Sequence, residues 1–361
     1  MRMSAAQTDF PIAGPGVVRA LLWATDSDAA ELLARELRAK GFASFATNAH
    51  SVVGVFADDV ALLAQVLGDR LDLDQRRHTK ALILNGKAPE LGDFGNIQTV
   101  ENLVHHHSSR WLVKLLDERR FKSQMQPIIE IESGRVHGYE FLFRGLKADG
   151  SMVPPVDMFT AARDEALLAR LDACARDSAV RTGARFGIKE KLFINVLPHS
   201  VSVAQSSFTD TLDLIEAANI EPNRVVFEIV ESEAVDDINE LSKMINFCRS
   251  AGYRIALDDF GSGFNNLSML IGLSPDYIKL DKGLISRIRE EPPTWNLVAN
   301  MVDAAKQSGV QVIAEGVEDD RTARLLKAMG ADFLQAILSD ALKIYRLKLL
   351  NNRYPLKGGG V

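Results

Sequence analysis

The sequence predicts an α/β protein: a modified (β/α)8 TIM-like barrel with one antiparallel strand, preceded by a small ferredoxin-like α+β domain. Three observations predict it. From Gln124 onward, strand-like apolar runs recur with helical segments between most of them. One pair of these runs is separated only by Glu132-Ser133-Gly134, far too short for a crossover helix, so these two strands should form a hairpin. Before Asn85 the pattern runs β-α-β-β-α-β, which suggests a small sandwich.

In the N-terminal region, residues 17–23 read as a strand. Asp26-Ser27-Asp28 caps a helix over 29–40, and Gly41 ends it. Apolar stretches at 42–47 and 51–56 flank Asn48-Ala49-His50 as a hairpin. Asp58-Asp59 caps a helix over 60–71, and 80–84 supplies a further strand. Residues 1–95 hold no phosphate loop, metal motif or obvious nucleophile, so a regulatory or dimerising module is expected there, with a possible protein partner. Residues 85–95, rich in Gly and Pro, form the linker. A connecting helix is expected within 96–120, because Val100, Leu103, Val104, Leu112, Leu115 and Leu116 share a helical face. His105, His106 and His107 lie on it, and adjacent helical residues point in different directions, so they do not converge on one ion.

The barrel is expected over 121–340, with strands at 125–131, 135–143, 192–196, 225–230, 254–258, 277–280, 311–314 and 333–338. The remainder, 341–361, reads as an atypical tail, helical to about residue 350. A net charge of −6 argues against a DNA partner, while leaving a small anionic ligand open. Cys174 and Cys248 sit in apolar helical stretches and read as reduced core residues. No apolar run reaches the length of a membrane span, and residues 1–15 lack the pattern of a signal peptide, so a cytoplasmic location is expected.

The strand ends carry the chemistry. Residues 256–263 read Ala-Leu-Asp-Asp-Phe-Gly-Ser-Gly: an apolar strand delivers two adjacent carboxylates into a glycine turn. Two such acids are hard to desolvate together unless cations offset them. The other strand ends supply Glu140 and Arg144, Asn195, Glu228 and Glu231, Lys279 and Asp281, Glu315 and Glu318, and finally Gln335. In a barrel this rim is where catalytic loops converge. Hard oxygen donors without His or Cys select Mg2+ or Mn2+ over zinc. Asp258 is suited to bridging two ions that clamp a phosphoryl group, with Lys279 steadying the developing charge.

Gln126-Pro127-Ile128, Gly138-Tyr139-Glu140-Phe141-Leu142, Phe227-Glu228-Ile229-Val230-Glu231, Asp258-Asp259-Phe260-Gly261-Ser262-Gly263, Lys279-Leu280-Asp281 and Ala314-Glu315-Gly316-Val317-Glu318 occur in that order. Together they resemble the signature of EAL domains, bacterial phosphodiesterases that open cyclic di-GMP to linear pGpG with two Mg2+ or Mn2+ ions. The resemblance implies that Glu140, Asn195, Glu228 and Asp258 hold the first metal, and that Asp258, Asp259 and Glu315 hold the second. It implies that Lys279 contacts the nucleophilic water and Gln335 helps to position it. Arg144 would meet a substrate phosphate, with Gln126 and Asp281 also on the substrate side. Glu231 would brace the loop after Asp259, which in the family couples metal binding to a homodimer through the barrel.

The chain departs from that signature at Phe141, Gly145, Val230 and the segment Ala336-Ile337-Leu338-Ser339-Asp340. These departures support an alternative: a weak or inactive cyclic di-GMP receptor or interaction scaffold. Phe141 is expected to crowd Glu140, so Phe141→Ala should preserve or raise turnover.

Overall fold

Asp26 and Asp59 each precede an apolar periodic run, and each side chain accepts a backbone N–H, from Ala29 and Ala61. These caps start α1 (Ser27–Ala39) and α2 (Val60–Arg70). In this computed structural model the described residues are 18–47, 51–84, 90–162, 165–197, 205–230, 238–261 and 266–335. The chain divides into two units, Met1–Lys114 and Leu115–Val361.

The first unit contains strands β1 (Val18–Trp23), β2 (Ala43–Thr47), β3 (Val52–Ala57), β4 (Lys80–Leu84) and β5 (Gln98–Thr99). Its sheet has the order β2-β3-β1-β4-β5, antiparallel throughout, so its first four strands follow the ferredoxin-like arrangement. Ala20, Leu22, Val53, Val55 and Ala81 share one sheet face and pack with Leu33, Leu37, Leu63 and Leu67 of the two helices. A short helix, α3 (Leu73–His78), precedes β4.

Helix α4 covers Val100–Asp117, shorter at both ends than the expected segment. At its start, Gln98 and Thr99 are taken into the sheet as β5. Val100 and Leu103 lie in the first unit's core, so the helix belongs in part to that unit rather than serving only as a connector. The His105 ring pairs with the Glu101 carboxylate, and Glu101 also meets Arg76 of α3. His106 and His107 stand edge to face, and no metal-holding group is found there among the described residues.

In the second unit, β6 (Phe121–Glu130), β7 (Val136–Leu146), β9 (Lys191–Val196), β10 (Val225–Val230), β11 (Arg254–Phe260), β12 (Tyr277–Leu280), β13 (Gln311–Ala314) and β14 (Phe333–Gln335) close into a barrel. Neighbours are parallel except for β6, which runs antiparallel to both β7 and β14. A two-residue strand, β8 (Met152–Val153), adds to β7. The helices in chain order are α5 (Pro155–Ala161), α6 (Glu165–Arg185), α7 (Gln205–Ala217), α8 (Ile238–Ser250), α9 (Asn266–Leu273), α10 (Lys282–Arg287), α11 (Pro292–Gln307) and α12 (Asp320–Met329). The expected tail, 341–361, and the segment 336–340 lie outside the described residues.

Inside the barrel, Ile128, Phe193, Val226, Ala256, Tyr277, Ile313 and Phe333 form a buried apolar layer. The β6–β7 register shifts between Ile128 and Ile129, leaving His137 of β7 without an opposite partner. Its ring stacks on Phe333 at 4.1 Å and meets the Tyr277 hydroxyl at 3.2 Å. Burial pushes this imidazole down to about 4, so it is neutral near pH 7.

Candidate active site

Side chains alternate along a strand, so Glu140 and Phe141 point to opposite faces of β7. Glu140 faces the barrel interior, whereas Phe141 is buried in the layer between strands and helices, close to Gly183 of α6 and Leu192. The ring does not crowd the acid. That corrects the expectation drawn from adjacency in sequence. Gly145, the second departure, is enclosed as well: a Cβ there would lie 2.7 Å from Met158 Sδ and 3.0 Å from Leu115. An aromatic side chain is therefore excluded by the packing of this chain. The Val230 side chain lies outside the described residues.

Parallel pairing sets the other acids beside Glu140 in a stagger of two residues per strand. Glu140 pairs with Phe193, Asn195 with Glu228, and Val230 with Asp258. Small Ala256 stands beside Glu228 in the register. Asp258 and Asp259 would point to opposite faces of a regular strand. Here the β11–β12 register shifts between Leu257 and Phe260, and Asp259 has φ +53°. This local break turns both carboxylates toward one site. The Asp259 amide donates to Asp258 Oδ1 at 3.0 Å, which fixes the turn. Gly261 follows at φ +105°, where a Cβ would also collide with Leu284.

At the centre stands Lys279, 1% exposed. Its ammonium lies 3.2 Å from Glu140, 3.0 Å from Glu228, 3.0 Å from Asp258 and 2.7 Å from Glu315. Glu140 also accepts from Asn195 Nδ2 at 3.1 Å and from Gln335 Nε2. Glu228 is fully buried, and its Oε2 has no hydrogen-bond partner.

One ammonium cannot balance four carboxylates, and the titration behaviour reflects this. Burial pushes Glu228 well above the usual carboxylate range, with Glu140 and Asp258 adding to the shift. Burial likewise raises Glu315 to about 7, despite Lys279 beside it. Asp259 is raised by burial and by Asp258 and Asp281. Burial acts on Glu140 in the same direction but is outweighed by Lys279 and the bonds from Gln335 and Asn195, so Glu140 is lowered and keeps its charge. Lys279, though buried, is held charged by its four acids.

The donor set suits hard divalent cations. Glu140, Glu228 and Asp258 offer oxygens within 4.8 Å of one another, and so do Asp258, Asp259 and Glu315. The two groups share Asp258. An excess of buried negative charge and an unpartnered Glu228 oxygen are what two cations would relieve.

The remaining expected residues are placed less centrally. Arg144 donates to Gln124 Oε1 at 2.9 Å and to the Phe143 carbonyl at 2.9 Å. Gln126 faces Glu140 across the β6–β7 pair. Asp281 caps α10 through the Gly283 amide at 2.9 Å. Glu318 is exposed and paired with Lys282. Glu231 lies outside the described residues. One polar pair escaped the sequence reading: Asp172 and Arg176, buried on α6 behind Asn195. Their spacing looks like that of an ordinary surface pair.

The EAL domain family matches residues 109–335. Among curated relatives, the chain is 27% identical over 242 residues to the "Probable cyclic di-GMP phosphodiesterase PdeN" of Escherichia coli (strain K12), covering 64% of this chain and 45% of PdeN. It is 28% identical over 230 residues to the "Cyclic di-GMP phosphodiesterase PdeR" of the same organism, covering 63% of this chain and 34% of PdeR. The chain thus spans less than half the length of either relative. Among solved structures, a standalone EAL protein from Vibrio cholerae O395, in its c-di-GMP bound form, is 28% identical with a TM-score of 0.54. That match covers 60% of this chain and 89% of the Vibrio chain.

Proposed function

Since the chain belongs to the EAL domain family, we propose that it hydrolyses cyclic di-GMP to linear pGpG, using two Mg2+ or Mn2+ ions. The observation that carries this reading is the cluster itself: four carboxylates around the buried Lys279, with two overlapping oxygen groups that share Asp258. Glu140, Asn195, Glu228 and Asp258 would hold one ion, and Asp258, Asp259 and Glu315 the other. When bound, the ions supply Lewis acidity toward the phosphoryl oxygens and acidify the attacking water.

The chain's own residues do the rest. The Lys279 ammonium, fixed at the centre, steadies charge developing on the phosphoryl group. Without metal, burial raises the Glu315 carboxyl to about 7, so it gives up its proton as it takes a cation and ion binding strengthens as pH rises through that range. Gln335, 2% exposed, orients what lies against Glu140. Arg144 offers a guanidinium to a substrate phosphate on release from Gln124, with Gln126 and Asp281 lining the substrate. Glu231 is proposed to brace the loop after Asp259. Below the acids, the apolar layer of Phe193, Tyr277 and Phe333 keeps water out and strengthens every charge interaction above it.

The receptor alternative loses two of its supports, because Phe141 lies on the outer face of β7 and Gly145 fits its own surroundings. With the activity go further proposals: residues 1–95 as the regulatory module and site of a protein partner, 121–340 as the catalytic domain, a homodimer through the barrel, and a cytoplasmic location. No helix among the described residues is long and apolar enough to cross a membrane. Cys174 and Cys248 are free, in keeping with a reducing compartment.

The test is chromatography of cyclic di-GMP incubated with purified protein and Mg2+ or Mn2+, with a chelator control. Metal-dependent pGpG is expected. Binding without product would establish the receptor instead, and turnover surviving in Asp258→Asn would overturn the two-ion assignment.

A further inference from the structure

Helix α6 contains a charged pair that a soluble helix rarely buries. Asp172 and Arg176, one turn apart, are 4% and 0% exposed and form an ion pair. Removing both charges from water costs free energy that their mutual attraction seldom repays, so stability alone is a poor reason for them. Their other partners indicate a different role. Asp172 Oδ1 accepts the backbone N–H of Leu197 at 3.2 Å, just past the end of β9. Arg176 Nε donates to the buried Thr211 hydroxyl of α7 at 3.1 Å, and its guanidinium lies over the Phe208 ring at 5.6 Å. One buried pair therefore ties α6 both to the end of β9 and to the helix that follows it.

Leu197 is two residues beyond Asn195, whose carboxamide lies 3.1 Å from Glu140 Oε1. The last registered pair of β9 is Val196 with Ile229, and at the next residue the Asp172 carboxylate holds the Leu197 N–H.

We propose that Asp172, oriented by Arg176, is a positioning residue for Asn195: by holding the Leu197 amide it fixes the end of β9 and sets the Asn195 carboxamide in the first metal position. This rests on the two-ion reading above. In this proposal Asp172 acts on the site through the Leu197 N–H and not as a metal ligand.

Two charge-free double variants isolate that bond. Asp172→Asn/Arg176→Met keeps an oxygen acceptor for Leu197 N–H, while Asp172→Ala/Arg176→Met removes it. Neither leaves a buried charge unpaired, so both are expected to fold. Mn2+ binding is read from the electron paramagnetic resonance signal of free Mn2+ during titration of the full chain. The Asn pair should bind close to wild type. The Ala pair should bind about 10-fold more weakly or worse, the loss typical of removing a residue that orients a metal ligand. In an Asn195→Ala background the two pairs should bind alike, because the effect has lost its route. Equal affinity of the two pairs in the wild-type background would overturn the proposal, and so would an undiminished gap in the Asn195→Ala background. Failure of the wild type to bind Mn2+ would overturn the two-ion reading itself, and this inference with it.

Discussion

Replacing Glu315 by Gln should stabilise the protein without metal and destabilise it with metal, and the first effect should grow with pH. In the folded protein the Glu315 carboxyl is raised to about 7, against an ordinary value of 4.5. Between those values the folded state binds a proton that the unfolded chain releases, so stability falls as pH rises through this window. The penalty is complete above pH 7. Gln mimics the protonated acid and carries no such penalty. Linkage then gives a gain for Glu315→Gln of about 1 kcal/mol at pH 5 and about 3 kcal/mol at pH 8. Urea unfolding in excess chelator at the two pH values measures it. Adding Mn2+ should invert the order, because a cation at about 1,000 times its Kd stabilises the wild type by about 4.1 kcal/mol, more than the gain at either pH, and a neutral carboxamide is a poorer ligand than the carboxylate it replaces. A gain of equal size at both pH values would refute the reasoning, since the desolvated charge would then not be its source.

Three further outcomes follow from the packing. Lys279→Met should lower hydrolysis about a thousandfold and, in chelator, cost about 3–5 kcal/mol, with the smaller loss at acid pH where Glu315 takes up a proton. Urea midpoints at pH 5 and pH 8, set beside pGpG formation, check both parts. Phe141→Ala should cost about 3–5 kcal/mol through the cavity it leaves behind β7, while kcat per folded molecule stays near wild type. Activity normalised to the folded fraction separates these effects, and a raised kcat would restore the crowding idea. Gly145→Ala should cost about 1–3 kcal/mol by overpacking against Met158 and Leu115, seen as a lowered Tm.

The reversed first strand was legible because three residues between β6 and β7 leave no room for a helix. The rim acids were legible because each sits at the end of an apolar run, and the structure brings eight of the expected residues into one cluster with Lys279 among them. The facing of Phe141 follows from the period of two along β7, so adjacency to Glu140 in sequence is not proximity in space. The Asp258–Asp259 pair shows the opposite case. Those neighbours do share a site, but only through a bulge and a left-handed residue that no alternation pattern announces. The Asp172–Arg176 pair was hidden because its spacing is that of a solvated helix pair, and burial belongs to the tertiary structure.

The reversed strand also changes where the chain joins the barrel. In a barrel of parallel strands the first one begins at the face away from the catalysis. Here Phe121, the first residue of β6, pairs with Gly145, and Lys122 pairs with Arg144. The polypeptide is therefore threaded in from the side of the acid cluster, and the hairpin carrying Glu140 and Arg144 is the first part of the barrel it meets. A pull or twist on the chain preceding Phe121 acts on that hairpin before any other strand. For protein engineering, a domain fused in front of Phe121 is wired to the rim, whereas one inserted between α12 and β14 enters at the quiet end.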